Sequence, residues 1–292
     1  MREFNLLQPK TLNDALEALA QNNAAIRPLG GGTDMLVDLR AGRVQPDTLV
    51  ALQGVNELRG VARANGHLRV GASTPIAEIL KNQLFAPFNA LRQAASVFAN
   101  PMIRNSATIA GNIGSASPAG DMLPPLLALN AQIELISRNE TRVMPLSEFF
   151  LGPRKTAQRA DELISSIQLS VTSNQSPSSS PQSSSAFYKL GLRQADAISL
   201  ISVAVWIQRD GAKIHDARIA LGAVAPRPLR AARAEEILRG QIFSETNLKE
   251  SARVAAAECS PIDDLRASAT YRRRMVAVYT RRMLEQAWSE TA

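Results

Sequence analysis

Side chains that carry chemistry are scarce in this chain of 292 residues: it has one cysteine, two histidines and only 4% aromatic residues. The lone Cys259 excludes an internal disulfide, and it excludes a cysteine cluster for a metal or an iron–sulfur centre. His67 and His215 lack the H-x-H or H-E-x-x-H spacing of a metal site. No G-x-S-x-G nucleophile elbow and no Gly-Lys pair occur, so neither hydrolytic nor triphosphatase chemistry is written into the chain. The longest buried-looking run, Leu200 to Ile207, falls far short of the ~20 residues that span a bilayer. The opening MREFNLLQPK lacks the apolar stretch of a secretion signal. The expectation is a soluble, cytoplasmic chain without a membrane span. The basic residues are scattered and no nucleic-acid motif accompanies them. The net charge of +7 therefore reads as solubility and attraction for an anionic ligand or partner, with no nucleic acid implied. If such a chain is an enzyme, a cofactor must supply its reactivity.

What is present is small and polar in two places. Ala107 to Asp121 reads ATIAGNIGSASPAGD, with Thr108, Gly111, Asn112, Gly114, Ser115, Ser117 and Gly120 ahead of the acidic Asp121. Small residues let the backbone approach a ligand closely, and hydroxyls and an amide donate hydrogen bonds without charge. Two readings stand: a loop that wraps a phosphate-bearing ligand, or a Gly/Ser turn in which Asp121 caps the next helix. The second place is Gly30-Gly31-Gly32-Thr33-Asp34, after the short apolar stretch from residue 24 to 29. Consecutive backbone N–H groups there can cradle an anion, or the segment can be a plain turn before Met35 to Leu39. The G-x-G-x-x-G dinucleotide pattern is excluded because Met35 stands where it needs glycine. Two glycine loops, each after a strand, together suggest a clamp on a pyrophosphate. One backbone bond to a charged phosphate contributes on the order of 1.5–3 kcal/mol.

The remaining elements follow from pattern. Thr11 is read as a helix cap, and so is Thr74, with Pro75 at the first helical position. Apolar spacing predicts a helix from Phe88 to Phe98, ended by Pro101. Pro124 and Pro125 fit only near the first turn of the helix after Asp121. Strands are read at Thr48 to Leu52, Leu68 to Val70, Ile133 to Ser137, Leu163 to Val171, Phe187 to Gly191, Ser199 to Gln208 and Ile214 to Ala225. Residues 172–185, TSNQSPSSSPQSSS, hold no apolar side chain and read as a flexible loop. Helices follow at Leu229 to Leu238, closed by Gly240, from Ser244 to Cys259, and at Ala269 to Trp288. On the last of these, Arg272, Arg273, Arg274, Arg281 and Arg282 read as a solvated face that an acidic partner subunit could also meet. Cys259, among alanines, reads as core.

Taken together, RPLGGGTDML, RNSATIAGNIGSASPAGDMLP, FYKLGLRQADAISLISVAV, RIALGAVAPRPLRA and YRRRMVAVYTRR resemble, in that order, the FAD-binding medium subunit of the molybdenum hydroxylases. That group includes xanthine dehydrogenase and carbon monoxide dehydrogenase, and the likeness to the latter's medium subunit covers almost the whole length. The resemblance implies an α+β fold. A two-lobed FAD-binding domain spans residues 1–172, with its lobes parting near 55–65. A Ser-rich loop at 173–185 and a C-terminal flavoprotein domain at 186–292, an antiparallel sheet with helices, follow. It assigns Arg27, Pro28, Leu29, Gly30, Gly31, Gly32, Thr33 and Asp34 to the first FAD loop. Thr108, Gly111, Asn112 and Ser117 fall in the second, with Asp121 on the adenosine half. Phe98 and Ile164 would pack on the cofactor, Lys189 would stand at the flavin, and Arg193 would tune the flavin or its acceptor. No catalytic acid or base and no metal ligand is implied. The chain carries neither a molybdopterin domain nor iron–sulfur cysteines. The implied partners are therefore a molybdenum-cofactor large subunit and a [2Fe–2S] small subunit, with electrons passing through FAD to NAD⁺ or another acceptor. Two rivals are a self-sufficient flavin oxidoreductase and a non-catalytic assembly subunit without FAD.

Overall fold

Thr11 caps the first helix as its sequence predicts, its hydroxyl accepting from the Asp14 amide at 3.2 Å. In the computed structural model, which describes residues 3–21, 25–171 and 182–291, this helix belongs to a small N-terminal lobe. The lobe contains β1 (Asn5–Leu7), α1 (Leu12–Leu19), β2 (Ile26–Leu29), α2 (Met35–Arg40) and β3 (Thr48–Ala51). Its sheet is parallel, in the order β1-β3-β2. Parallel neighbours require crossover connections, and α1 and α2 supply them.

After short 3₁₀ turns the chain enters a second lobe. Here β4 (Val61–Ala64) and β5 (His67–Gly71) precede α3 (Ile76–Lys81), α4 (Asn89–Val97), α5 (Pro101–Ser106), α6 (Ile109–Gly114) and α7 (Leu123–Ala128). The strands β6 (Gln132–Ile136) and β7 (Thr141–Pro145), the turn α8 (Leu146–Phe149), the small ribbon β8 (Phe150–Gly152) with β9 (Lys155–Thr156), and β10 (Leu163–Ser170) complete it. This sheet runs β4-β5-β10-β6-β7, antiparallel throughout.

The C-terminal sheet is a second antiparallel set, β11 (Gln182–Leu190), β12 (Ile201–Asp210), β13 (Lys213–Gly222) and β14 (Leu229–Arg230). The helices α9 (Ala232–Leu238), α10 (Glu245–Glu258) and α11 (Ala269–Ser289) follow. β12 is buried on both faces. Ala204 and Trp206 join the core of the second lobe, while Val203, Val205 and Ile207 join a separate core under the C-terminal helices. The close approach to α7 depends on Gly222, where a Cβ would fall 2.8 Å from Pro124 Cγ.

Five local expectations are corrected. Gln182–Ser185 belong to β11 and not to a loop; the rest of the Ser-rich stretch lies outside the described residues. Composition misleads there because the serines are satisfied by partners. The Ser185 hydroxyl accepts from the Ala90 amide at 3.1 Å and Ser184 donates to Glu290 at 3.0 Å. Pro101 starts α5 behind an Asn100 cap, where its missing N–H costs nothing. Pro75, not Thr74, occupies the cap position of α3. Leu229 and Arg230 pair with Leu221 and Ala220, so the following helix begins at Ala232. Arg272 is buried, 2% exposed, although its neighbours Arg273 and Arg274 face solvent. Among the described residues no helix is long and apolar enough to cross a membrane, and no cluster of metal-ligating side chains occurs.

Candidate functional site

The two glycine segments meet. Gly30, Gly31 and Gly32 leave the end of β2, and Gly31 lies against the backbone between α5 and α6. A Cβ there would overlap the Ser106 carbonyl oxygen and fall 3.0 Å from Ala107 Cα. A Cβ on Gly30 would come within 3.1 Å of the Thr108 hydroxyl oxygen. Gly32 has φ +75°, open to glycine and strained for any other residue. Among the described residues, none of the amides of Gly30, Gly31, Gly32 and Thr33 donates a hydrogen bond within the chain. They form a run of half-buried donors with unused capacity, the arrangement that binds oxyanions.

Thr108 organises the second segment. It is the cap of α6, accepting from the Gly111 amide at 3.0 Å, while its carbonyl accepts from Asn112 at 3.0 Å. The stretch around it is held against the segment that follows β5 by Ile76 N to Ala107 O at 2.9 Å and Ile109 N to Thr74 O at 3.1 Å. Gly111 and Gly114, one turn apart, are both exposed. Gly114 has only Ile164 Cδ1 within reach of a Cβ, at 3.9 Å, so the helix offers a bare backbone face beside an apolar residue. Ile164 itself is 6% exposed, next to an irregularity in β10. The Asn112 side chain turns inward and accepts from the Met122 amide at 3.3 Å, pinning the Ser117–Asp121 turn to α6. The Ser117 hydroxyl supports that turn by accepting from Ala119 N at 3.4 Å.

Asp121 does not cap α7. The cap position is Met122, which makes no side-chain cap bond. Both Asp121 oxygens face the C-terminal domain instead. Lys189 Nζ lies 2.6 Å from Oδ2, and the Ser199 hydroxyl donates to Oδ1 at 2.7 Å. Burial lifts the Asp121 carboxyl above its ordinary value, against the pull of the Lys189 ammonium and the Ser199 hydroxyl. Behind Ser199, the buried Arg272 donates to the Leu200 carbonyl at 2.6 Å and to Asp264 at 2.8 Å. Arg193 is exposed and donates to the Asp196 carbonyl at 2.6 Å, and the Asp196 carboxylate accepts from Asn100 at 2.9 Å. Phe98, half-buried at the end of α4, offers its carbonyl to Arg104 at 2.7 Å.

The structure therefore joins Gly30–Gly32 with Thr108 and Gly111, Asn112 with the Asp121 turn, Asp121 with Lys189, and Ile164 with Gly114. Pro28 and Leu29 end β2 beside this junction, with Thr33 half-buried and Asp34 exposed at the start of α2. Arg27 is exposed on β2, paired through its backbone register with Leu49, and no described side-chain bond joins it to the other site residues.

Three contributors escape motif reading. Ser199 and Arg272 act through contacts that no spacing encodes. Asp38 and Arg154 form the third, a 2.7 Å ion pair that ties α2 to the second lobe. Burial raises the Asp38 carboxyl, but hydrogen bonds and charge from Arg43 and Arg154 outweigh it and hold its pKa below the ordinary value.

Comparison with known proteins agrees with this architecture. The family model described as "FAD binding domain in molybdopterin dehydrogenase" matches residues 2–170, and the "CO dehydrogenase flavoprotein C-terminal domain" matches residues 185–287. The glyceraldehyde dehydrogenase medium chain of Sulfolobus acidocaldarius is 30% identical over 285 residues, covering 97% of this chain and 98% of that one. The xanthine dehydrogenase FAD-binding subunit of Escherichia coli O157:H7 is 30% identical over 279 residues, 95% of this chain and 93% of its own. A chain of the carbon monoxide dehydrogenase from Hydrogenophaga pseudoflava superposes with a TM-score of 0.94 at 28% identity. It covers 100% of this chain and 99% of that one.

Proposed function

Because the chain belongs to the FAD-binding subunits of the molybdopterin dehydrogenases, we propose that it is the electron-transfer flavoprotein of a larger oxidoreductase complex, with FAD seated where the two glycine segments meet. The observation that carries this placement is the set of unused amides of Gly30–Thr33 beside the bare Gly111–Gly114 face of α6. The donor set fits the group: backbone N–H groups and hydroxyls suit a pyrophosphate, and glycines leave it room. Thr108 keeps α6 in register with the first segment. Phe98 and Ile164 supply apolar surface for a ring system. Lys189, ion-paired with Asp121 and buried, fixes the turn after α6 against the C-terminal domain, and Arg193 stands at the exposed rim of the site.

Bound FAD supplies the redox chemistry that no side chain here provides, accepting and releasing electrons singly or in pairs. The residues of this chain bind and orient it and set the charge around it; none needs to act as a general acid or base. The electrons come from a molybdenum-bearing large subunit by way of a [2Fe–2S] small subunit, and NAD⁺ or another acceptor receives them. Such an assembly works in the cytoplasm.

The test is the visible absorption of the purified chain, followed by release and identification of its flavin. One FAD per chain is expected. A colourless protein that stays colourless with added FAD, both alone and co-purified with its partner subunits, overturns the reading.

A further inference from the structure

Helices α10 and α11 lie side by side under the C-terminal sheet, and a groove of about 510 Å³ runs between them. Its floor is small and apolar, built from Ala252, Ala256, Ala277 and Val278. Its rim is cationic: Lys249 and Arg253 from α10, with Arg273, Arg274 and Arg281 from α11. Three carboxylates answer these five cations. Glu245 pairs with Lys249 at 2.7 Å and loosely with Arg281 at 4.0 Å, Glu285 stands 3.7 Å from Arg281, and Glu250 pairs with Arg253 at 2.7 Å. Among the described residues Arg273 and Arg274 make no salt bridge, and both are exposed. Ala252 and Ala256 also line the core beneath, but the α10–α11 packing rests chiefly on the larger buried Leu248, Val276 and Met283, and no described carboxylate forms a salt bridge with the guanidinium groups of Arg273 and Arg274.

We propose that this groove docks an acidic helix of another polypeptide. A ridge of small apolar side chains sits on the alanine floor, and flanking carboxylates meet Arg273 and Arg274. Charge complementarity selects the occupant: an excess of cations around a concave apolar floor attracts a segment of opposite sign and fixes its register. The lining holds no aromatic ring on which a base would stack, which disfavours a nucleic acid. A second copy of this chain would bring like charge, since each copy carries +7. That the occupant is another subunit rests on the reading of this chain as part of a complex.

The test uses the complex purified with its partner subunits. Carbodiimide coupling, which joins an amine to a carboxylate without a spacer, links Lys249 to an Asp or Glu in a helical segment of another subunit. The Arg273→Glu/Arg274→Glu variant weakens assembly by about tenfold at low salt, with the difference shrinking as salt is raised. Arg273→Lys/Arg274→Lys retains assembly. Coupling of Lys249 to Glu245 of its own chain only, coupling to a second copy, or full assembly of the charge-reversed variant each overturns the proposal. Flavin absorbance is recorded on every sample. A failure to bind FAD bears on the proposed function and leaves the groove test readable.

Discussion

Lys189 and Asp121 hold each other across the junction of the two domains, Nζ 2.6 Å from Oδ2, with side-chain exposures of 8% and 10%. Asp121 belongs to the turn that follows the second glycine segment, and Lys189 to the edge strand of the C-terminal sheet. The pair thereby ties a ligand-facing loop to the domain behind it. Removing one member leaves the other buried without a counter-charge, which typically costs about 3–5 kcal/mol. Asp121→Ala should lower the unfolding free energy by roughly 3 kcal/mol, and Asp121→Ala/Lys189→Met by less than the sum of the two single losses. Urea denaturation of the four proteins measures both. A loss under about 1 kcal/mol for the single variant would mean that the pair is open in solution.

Gly31 and Gly114 separate close packing from ligand space. A side chain on Gly31 must displace the backbone at Ser106, so Gly31→Ala should destabilise the protein by about 3 kcal/mol. Gly114 has a free approach and ordinary helical backbone. There Gly114→Ala should be neutral or stabilising by up to about 1 kcal/mol. If α6 lies along the cofactor, Gly114→Val keeps the fold and loses FAD. Thermal melts beside flavin content decide this, and retained flavin in a folded Gly114→Val protein removes α6 from the site.

Arg272 ties the start of β12 to the Asp264 turn, with bonds to the carbonyls of Leu200 and Ala223 as well as to the Asp264 carboxylate. Replacing it by methionine keeps the apolar stem but removes its bonds to the Leu200 and Ala223 carbonyls, while Asp264 keeps its bonds from Arg266 and Ala267. Each buried unsatisfied group costs about 1–3 kcal/mol. Arg272→Met should therefore destabilise far more than Arg273→Met, whose side chain is exposed. Equal effects in parallel denaturation curves would refute the buried role.

Asp264 gives this cluster a pH signature. Hydrogen bonds from Arg266, with the nearby Arg272 charge, hold its carboxyl well below the usual value of 3.8. The folded state therefore binds its proton less readily than the unfolded chain does. The stabilisation is complete above the unfolded pKa and is lost as pH falls through the folded one. The stability gap between wild type and Asp264→Asn should be constant from about pH 7 to pH 5 and narrow below about pH 4. A gap that stays constant down to pH 3 contradicts the assignment.

Cys259 closes α10 at 5% exposure, and burial pushes its thiol pKa up to about 12. The thiolate is the reactive form, so the native protein should resist alkylation at neutral pH and react fully once unfolded. Mass spectrometry after iodoacetamide treatment, with and without denaturant, tests this. Rapid modification of the folded protein would mean that the end of the helix opens.

Much of this molecule is determined by local sequence. Thr11, Ser244 and Thr108 cap the helices that begin after them, because a hydroxyl ahead of an apolar-periodic run has an amide to serve wherever the helix packs. Gly240 closes α9 with φ +74°, and Pro124 and Pro125 fall in the first turn of α7, for equally local reasons. The glycines of both loops mark themselves by composition. The partners are decided only in three dimensions. Asp121 has the sequence of a helix cap but gives its oxygens to Lys189 and Ser199, 68 and 78 residues away, because the C-terminal sheet packs on α7 and brings them there. Arg272 and Arg273 are neighbours in a run of three arginines. The rotation of α11 against β12 buries one and leaves the other at the rim of a groove. Ser184 and Ser185 read as loop by composition and stand in a strand, where Glu290 after α11 and the Ala90 amide of α4 satisfy their hydroxyls. A hydrogen bond is a local preference when donor and acceptor are a few residues apart. Across 68 or 78 residues it exists only after the fold has placed both ends.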